Sequence, residues 1–287
     1  MRRLGIVSSL ALLVLAFLLM HLTVFVFVAA SIALRGIDYP EALRRVTSDP
    51  LPLGTAQLAA LGAVITLGMS FFEPGLSTRE GLGVIAVRAR ITMLAAALGL
   101  ALQLPMVELT TVLARAIPTL AHPPEVDAAI EALTRMNTPL RAFSVPLTFV
   151  VIAPVTEELL FRGLILRGLR TRYGPTRAIL ASAILFAAFH LDPQTLVFGT
   201  LVGLLLGVIA ERAGSTLPSI ALHAGFNALP VLFPAELVEI PGFNAAAHAD
   251  VPLALVLSST VAALVLLGIL VRVLAIERTR SDRTQLS

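Results

Sequence analysis

Long apolar runs, one after another, leave this chain little choice of solvent. The first extends from Leu4 to about Leu34. Others run from about Leu51 to Phe72, Ile91 to Ala114, Ser144 to Leu166, Ala178 to His190, Leu196 to Ala210, Leu217 to Phe233 and Pro252 to Ile276. A helix crosses the hydrocarbon with about 20 apolar residues. In lipid the backbone must satisfy its own hydrogen bonds, which helices do within one segment. The expected fold is therefore all-α: a polytopic transmembrane helix bundle of about eight spans. With 57% hydrophobic and 14% charged residues, a soluble domain is excluded. The first run is too long for the apolar core of a signal peptide and lacks a cleavage site, so it is read as a retained span.

The charges orient the bundle. Every basic residue is arginine. With the N-terminus inside, Arg2, Arg3, Arg79, Arg88, Arg90, Arg167, Arg170, Arg172, Arg177, Arg212, Arg272, Arg278, Arg280 and Arg283 fall on one side. Arg35, Arg44, Arg45, Arg115, Arg135 and Arg141 fall on the other. The positive-inside rule makes the first side cytoplasmic, and both termini with it. A net charge of +3 is small, so the arginines read as anchors of helix ends and the partner as a lipid bilayer, with no nucleic acid. Without cysteine there is no disulfide or thiolate chemistry. Arginine-rich usage without lysine or cysteine points to a prokaryotic plasma membrane. Leu82, Val84, Ile85 and Val87 suggest an amphipathic interfacial piece within 73–90. Pro123-Pro124 followed by Glu125 to Arg135 reads as a surface helix or lid. Gly199, Gly203 and Gly207, four residues apart, suit close helix packing. Glu108 and His21 are read as interfacial or packed polar groups.

Against this background the run Pro154-Val-Thr-Glu-Glu-Leu-Leu-Phe-Arg162 stands out. A charge at mid-membrane costs roughly 2.5–3.5 kcal/mol on insertion scales, and here there are three. Glu158 and Arg162 are four apart and share a helix face, so they can pair. Glu157 points about 100° away and is left out of that pair. At 1.5 Å per residue, Glu157 lies roughly 15 Å, His190 roughly 18 Å and His223 roughly 9–15 Å from the cytoplasmic end of their spans. Three helices thus bring ionisable groups to one level. His223 and Asn227 form a second pair four apart, as do Phe186 and His190, whose ring the phenylalanine can wall. Two buried carboxylates do not easily ionise together. With Glu158 held charged by Arg162, Glu157 is the member suited to exchange a proton, as a general base must.

Glu157-Glu158-x-x-x-Arg162, Phe186-x-x-x-His190 and His223-x-x-x-Asn227 resemble the three motifs of the CPBP intramembrane protease family, which includes the type II CAAX prenyl endopeptidases and the bacterial Abi proteins. The stretch from Glu211 to Ile220 looks like the family's lead-in to the last motif. The resemblance covers about Val145 to Pro230. It implies three parts: N-terminal spans with a surface loop (1–143), a catalytic core of four spans (144–233), and a last span with a cytoplasmic tail (234–287). It also implies hydrolysis of a peptide bond in a membrane-associated peptide or membrane protein, lipidated or not, by an activated water. Glu157 would take the proton, His190 would position the water, and His223 and Asn227 would hold the oxyanion, while Glu158 and Arg162 set geometry and charge. The metal question stays open: Glu158, His190 and His223 would offer three ligands to Zn2+ or another divalent metal, but no His-Glu-x-x-His helix is present, and a metal-independent route stands beside it.

Two other classes compete. Intramembrane Glu, Arg and His also mark proton-coupled transporters, yet no inverted repeat is visible and the ionisable groups gather in the second half. A catalytically silent scaffold or immunity-type protein would be favoured by loss of a motif residue, and none is lost.

Overall fold

The computed structural model describes residues 4–73, 75–245 and 249–285. Arg2 and Arg3, and the side chains of Arg280 and Arg283, all used to orient the chain, lie outside the described residues. The helices are α1 (Ile6–Arg35), α2 (Tyr39–Thr47), α3 (Pro50–Phe72), α4 (Thr78–Gly81), α5 (Ala89–Ala116), α6 (Pro124–Thr134), α7 (139–173), α8 (Pro175–Phe189), α9 (Pro193–Ala213), α10 (Leu217–Leu232) and α11 (Leu253–Gln285). Among the described residues the remaining regular structure is one short 3-10 turn and an isolated bridge between Pro241 and Ala245. Five helices, α1, α3, α5, α9 and α11, are long and apolar enough to cross a membrane, and α8 and α10 are shorter apolar helices. The chain is an integral membrane protein built as a polytopic helix bundle.

Local chemistry sets the helix ends. Gly36 closes α1 in the left-handed conformation (φ 64°) and returns its N–H to Ile32, a position where a Cβ would be strained. Asp192 caps α9, accepting the Thr195 N–H at 2.6 Å, with Pro193 in the first turn where no N–H is needed. Two apolar clusters fill the bundle. One joins α1, α3, α7 and α8 around Leu12, Leu61, Leu164 and Phe186. The other joins α5, α9, α10 and α11 around Leu98, Leu206, Leu222 and Leu270.

Small residues decide how closely the helices cross. A Cβ on Gly203 would sit 3.1 Å from Ala183, and Gly199 and Gly207 similarly face Ala187 and Ile179, so the glycine series of α9 packs on α8 as its spacing suggested. The tightest crossing is elsewhere. A Cβ on Gly99 would stand 2.0 Å from the Leu222 carbonyl oxygen and one on Gly225 2.1 Å from that of Ala96, so α5 and α10 meet backbone to backbone. α3 runs beside α7 in the same direction: Gly54 faces Thr148 and, further along both helices, Gly68 faces Leu164.

Of the four apolar residues expected to give 73–90 a partly amphipathic character, Leu82 is buried and Ile85 is exposed at 47%. The segment holds one helical turn, closed by a capping box between Ser77 and Glu80. Leu82 then drops into the core at 2% exposure, and its carbonyl accepts the Thr216 hydroxyl at 2.6 Å. Leu82 is therefore tied down by the bundle.

Candidate active site

The site grows out of an irregularity in α7. Along this continuous helix, α-helical Pro139–Pro146 gives way to a π-helical stretch (Leu147–Ile152), then α-helical Ala153–Glu158, a second π-helical stretch (Leu159–Leu166) and α-helical Arg167–Tyr173. Pro154 accounts for the first widening: its ring crowds the preceding carbonyls and it has no N–H to give. The Ala153 N–H reaches back to Thr148, and the next carbonyl, Phe149, would look to Pro154 for a donor and finds none. Asn227 of α10 supplies it, Nδ2 donating to the Phe149 oxygen at 2.9 Å. In the second wide stretch, the Ser182 hydroxyl of α8 donates to the Phe161 carbonyl at 3.0 Å. Each irregular turn is thus tied to a neighbouring helix, the condition on which lipid tolerates it.

Glu157 and Glu158 lie between these turns. Glu158 and Arg162 are 0% and 1% exposed and pair as the spacing predicted, Arg162 Nη1 donating to Glu158 Oε1 at 2.6 Å. Arg162 Nη2 donates to the Gly203 carbonyl at 3.1 Å, and its guanidinium stands 4.6 Å from the Phe186 ring centre. Glu158 Oε1 takes a second bond from His223 Nδ1 at 3.0 Å. An ionised carboxylate only accepts, so Nδ1 carries the hydrogen and His223 Nε2 is the working nitrogen. Nε2 faces Glu157 Oε2 across 3.9 Å, too far for a direct hydrogen bond. The other oxygen of Glu157, Oε1, accepts from Gln57 Nε2 of α3 at 2.8 Å. Motif spacing does not mark Gln57; its signal in the sequence is a lone amide inside an apolar span.

His190 sits apart from this group. It ends α8, exposed, with Nδ1 donating to the Phe186 carbonyl at 3.0 Å. Its ring meets Phe186 edge-on with centroids 5.1 Å apart, as expected, and the same Phe186 packs on His223 at 5.7 Å. The two histidines therefore share a ring but no hydrogen bond among the described residues. Asn227 lies one turn beyond His223 on α10, with one of its amide hydrogens on Phe149.

The three residues offered as metal ligands are not gathered into one group, although Glu158 Oε2 is buried without a hydrogen-bond partner among the described residues. Glu158 Oε1 is occupied by the Arg162 cation and His223 Nδ1, and His190 is turned to the Phe186 backbone. Among the described residues no three His, Asp or Glu side chains gather as a ligand group. Glu108, outside the site, accepts the Val251 N–H at 2.9 Å.

Fold and site together define an integral membrane helix bundle with a buried glutamate–arginine pair and a glutamate–histidine couple. Residues 139–229 match the family of type II CAAX prenyl endopeptidases, Rce1-like. That match supports the CPBP/CAAX protease family for the segment that carries the three motifs. A protein of Escherichia coli described as an uncharacterized 24.3 kDa protein is 39% identical over 92 residues, which are 30% of this chain and 42% of that protein. The chain thus spans less than half the length of that relative. No solved structure matches the chain.

Proposed function

We propose that this protein is an intramembrane endopeptidase that hydrolyses a peptide bond of a membrane-associated substrate, in the manner of CAAX-type processing. The observation that supports this most is the facing of Glu157 Oε2 and His223 Nε2 across 3.9 Å, beside a second carboxylate already neutralised by Arg162. Groups at this separation can serve the two oxygens of one tetrahedral centre, Glu157 the water oxygen and His223 the carbonyl oxygen. Glu157 takes a proton from water while the water oxygen bonds to the scissile carbonyl carbon. The carbonyl electron pair moves onto its oxygen. His223, as the imidazolium with its Nδ1 hydrogen on Glu158, turns Nε2–H to that oxyanion and with the remaining amide hydrogen of Asn227 stabilises it, a contribution of about 2.7–4 kcal/mol per donor. Glu157 then passes its proton to the leaving nitrogen as the C–N bond breaks, giving a carboxylate and an amine. Glu158 accepts the His223 Nδ1 hydrogen and so holds the ring with Nε2 toward Glu157.

The test is cleavage of a fluorescence-quenched peptide library, lipidated C-terminal peptides included, by the full chain purified in detergent. Wild type is compared with Glu157→Gln, each with and without a zinc chelator. The expected result is cleavage that the chelator leaves intact and that Glu157→Gln lowers by about 10²–10⁴-fold, the usual worth of a general base. Equal activity in Glu157→Gln overturns the assignment of the base. Chelator-sensitive activity restored by zinc overturns the metal-free route. A wild type that cleaves nothing favours a silent scaffold.

A further inference from the structure

We propose that Gln57 is a positioning residue for this reaction, fixing one oxygen of Glu157 so that the other faces His223. The inference rests on Glu157 being the base, and it extends the site to a helix outside the matched segment. Glu157 is 8% exposed, and its two oxygens have different surroundings. Oε1 takes the Gln57 Nε2 hydrogen at 2.8 Å, whereas Oε2 looks toward His223 Nε2 at 3.9 Å. A carboxylate turns freely about its last bond unless one oxygen is held. The amide nitrogen, not the oxygen, must face it, because the carboxylate oxygen only accepts. A second hydrogen of the same nitrogen points to the Thr156 hydroxyl at 3.4 Å, and that hydroxyl is anchored by donating to Ile152 at 2.8 Å.

Thr66 and Ser70 of α3 behave differently. Each bonds back to a carbonyl of its own helix, at 2.8 and 2.9 Å. Gln57 instead reaches across to α7, and the packing prepares it to do so. One turn earlier, Gly54 faces Thr148, whose hydroxyl donates to the Pro50 carbonyl at 3.0 Å. That contact sets α3 beside α7 at the level where Gln57 meets Glu157. Gln57 touches no reacting atom in this scheme; it acts through Glu157.

The test uses Gln57→Met in the full chain, a substitution that keeps length and volume and removes the N–H. With the library peptide that wild type cleaves fastest, the variant is expected to lose about 10–100-fold in kcat, as misplacement of a reacting group does, with KM unchanged. Independently of turnover, the carboxylate stretch isolated as the infrared difference between wild type and Glu157→Gln is expected to shift in Gln57→Met. An inactive Glu157→Gln beside a Gln57→Met of wild-type kcat overturns the positioning role alone, as does an unshifted carboxylate band. Full activity in Glu157→Gln overturns both readings.

Discussion

Replacing Arg162 by methionine asks what the buried ion pair does for the fold. Methionine keeps an unbranched side chain of similar reach and deletes the guanidinium at a position 1% exposed. Glu158 then loses its 2.6 Å partner while remaining fully buried, and the Gly203 carbonyl loses its 3.1 Å donor. Removing one member of a buried pair costs about 3–5 kcal/mol, most of it the penalty on the charge left behind. At 1.4 kcal/mol per tenfold, the folding equilibrium shifts by about 10²–10³·⁵. The double variant Glu158→Gln/Arg162→Met removes the stranded charge, and the glutamine oxygen still accepts from His223 Nδ1. It should therefore be clearly more stable than Arg162→Met alone. Equilibrium unfolding in mixed micelles, followed by loss of helical circular dichroism, measures both and yields their coupling. Additive losses in the double variant, or a cost below about 1 kcal/mol for Arg162→Met, would refute the reasoning.

Two further outcomes follow from single contacts. Asn227→Leu strips the Phe149 carbonyl of its donor beside Pro154 and should cost about 1–3 kcal/mol in the same unfolding assay, the penalty of an unsatisfied buried group; a neutral result would mean that the π-helical turn finds another partner. Outside the membrane, His122 lies between Asp127 at 3.2 Å and Asp192 at 3.3 Å, tying the connection ahead of α6 to the turn after His190. Burial works to raise the Asp192 carboxyl, but the bonds from Thr195 and His122 outweigh it and hold it below its ordinary value. A carboxyl lowered by folding stabilises above its unfolded pKa of about 3.9 and loses that contribution as pH falls through the folded value. Protease nicking between residues 117 and 123 should rise as pH falls below about 4, and Asp192→Asn should abolish that rise.

Contacts within one helix were legible in the sequence, and contacts between helices were not. Spacing of four places Glu158 on Arg162 and Phe186 on His190, because 3.6 residues per turn brings such pairs together wherever the helix sits. The three glycines of α9 announced their close approach by repetition. Gly99 and Gly225 make a closer one, yet each stands alone in its helix, so no pattern marks it. Depth along a span was countable, but depth does not give the direction a side chain faces. His190 and His223 were placed at one level, and the structure keeps them on two sides of Phe186. Gln57 finds Glu157 100 positions further along the chain, a meeting that depends on how α3 lies against α7.

Asn227 shows why chemistry and architecture are hard to separate at this site. Its spacing from His223 reads as a catalytic pair, while its observed bond repairs a backbone carbonyl orphaned by Pro154. Both follow from one cause. Pro154 widens the helix just ahead of Glu157, and the widened turn survives in lipid only if α10 brings a donor to it. The helix that brings Asn227 to Phe149 carries His223 one turn earlier, and so sets its imidazole between Glu158 and Glu157. The proline that disturbs α7 thereby fixes the approach of the helix that completes the site.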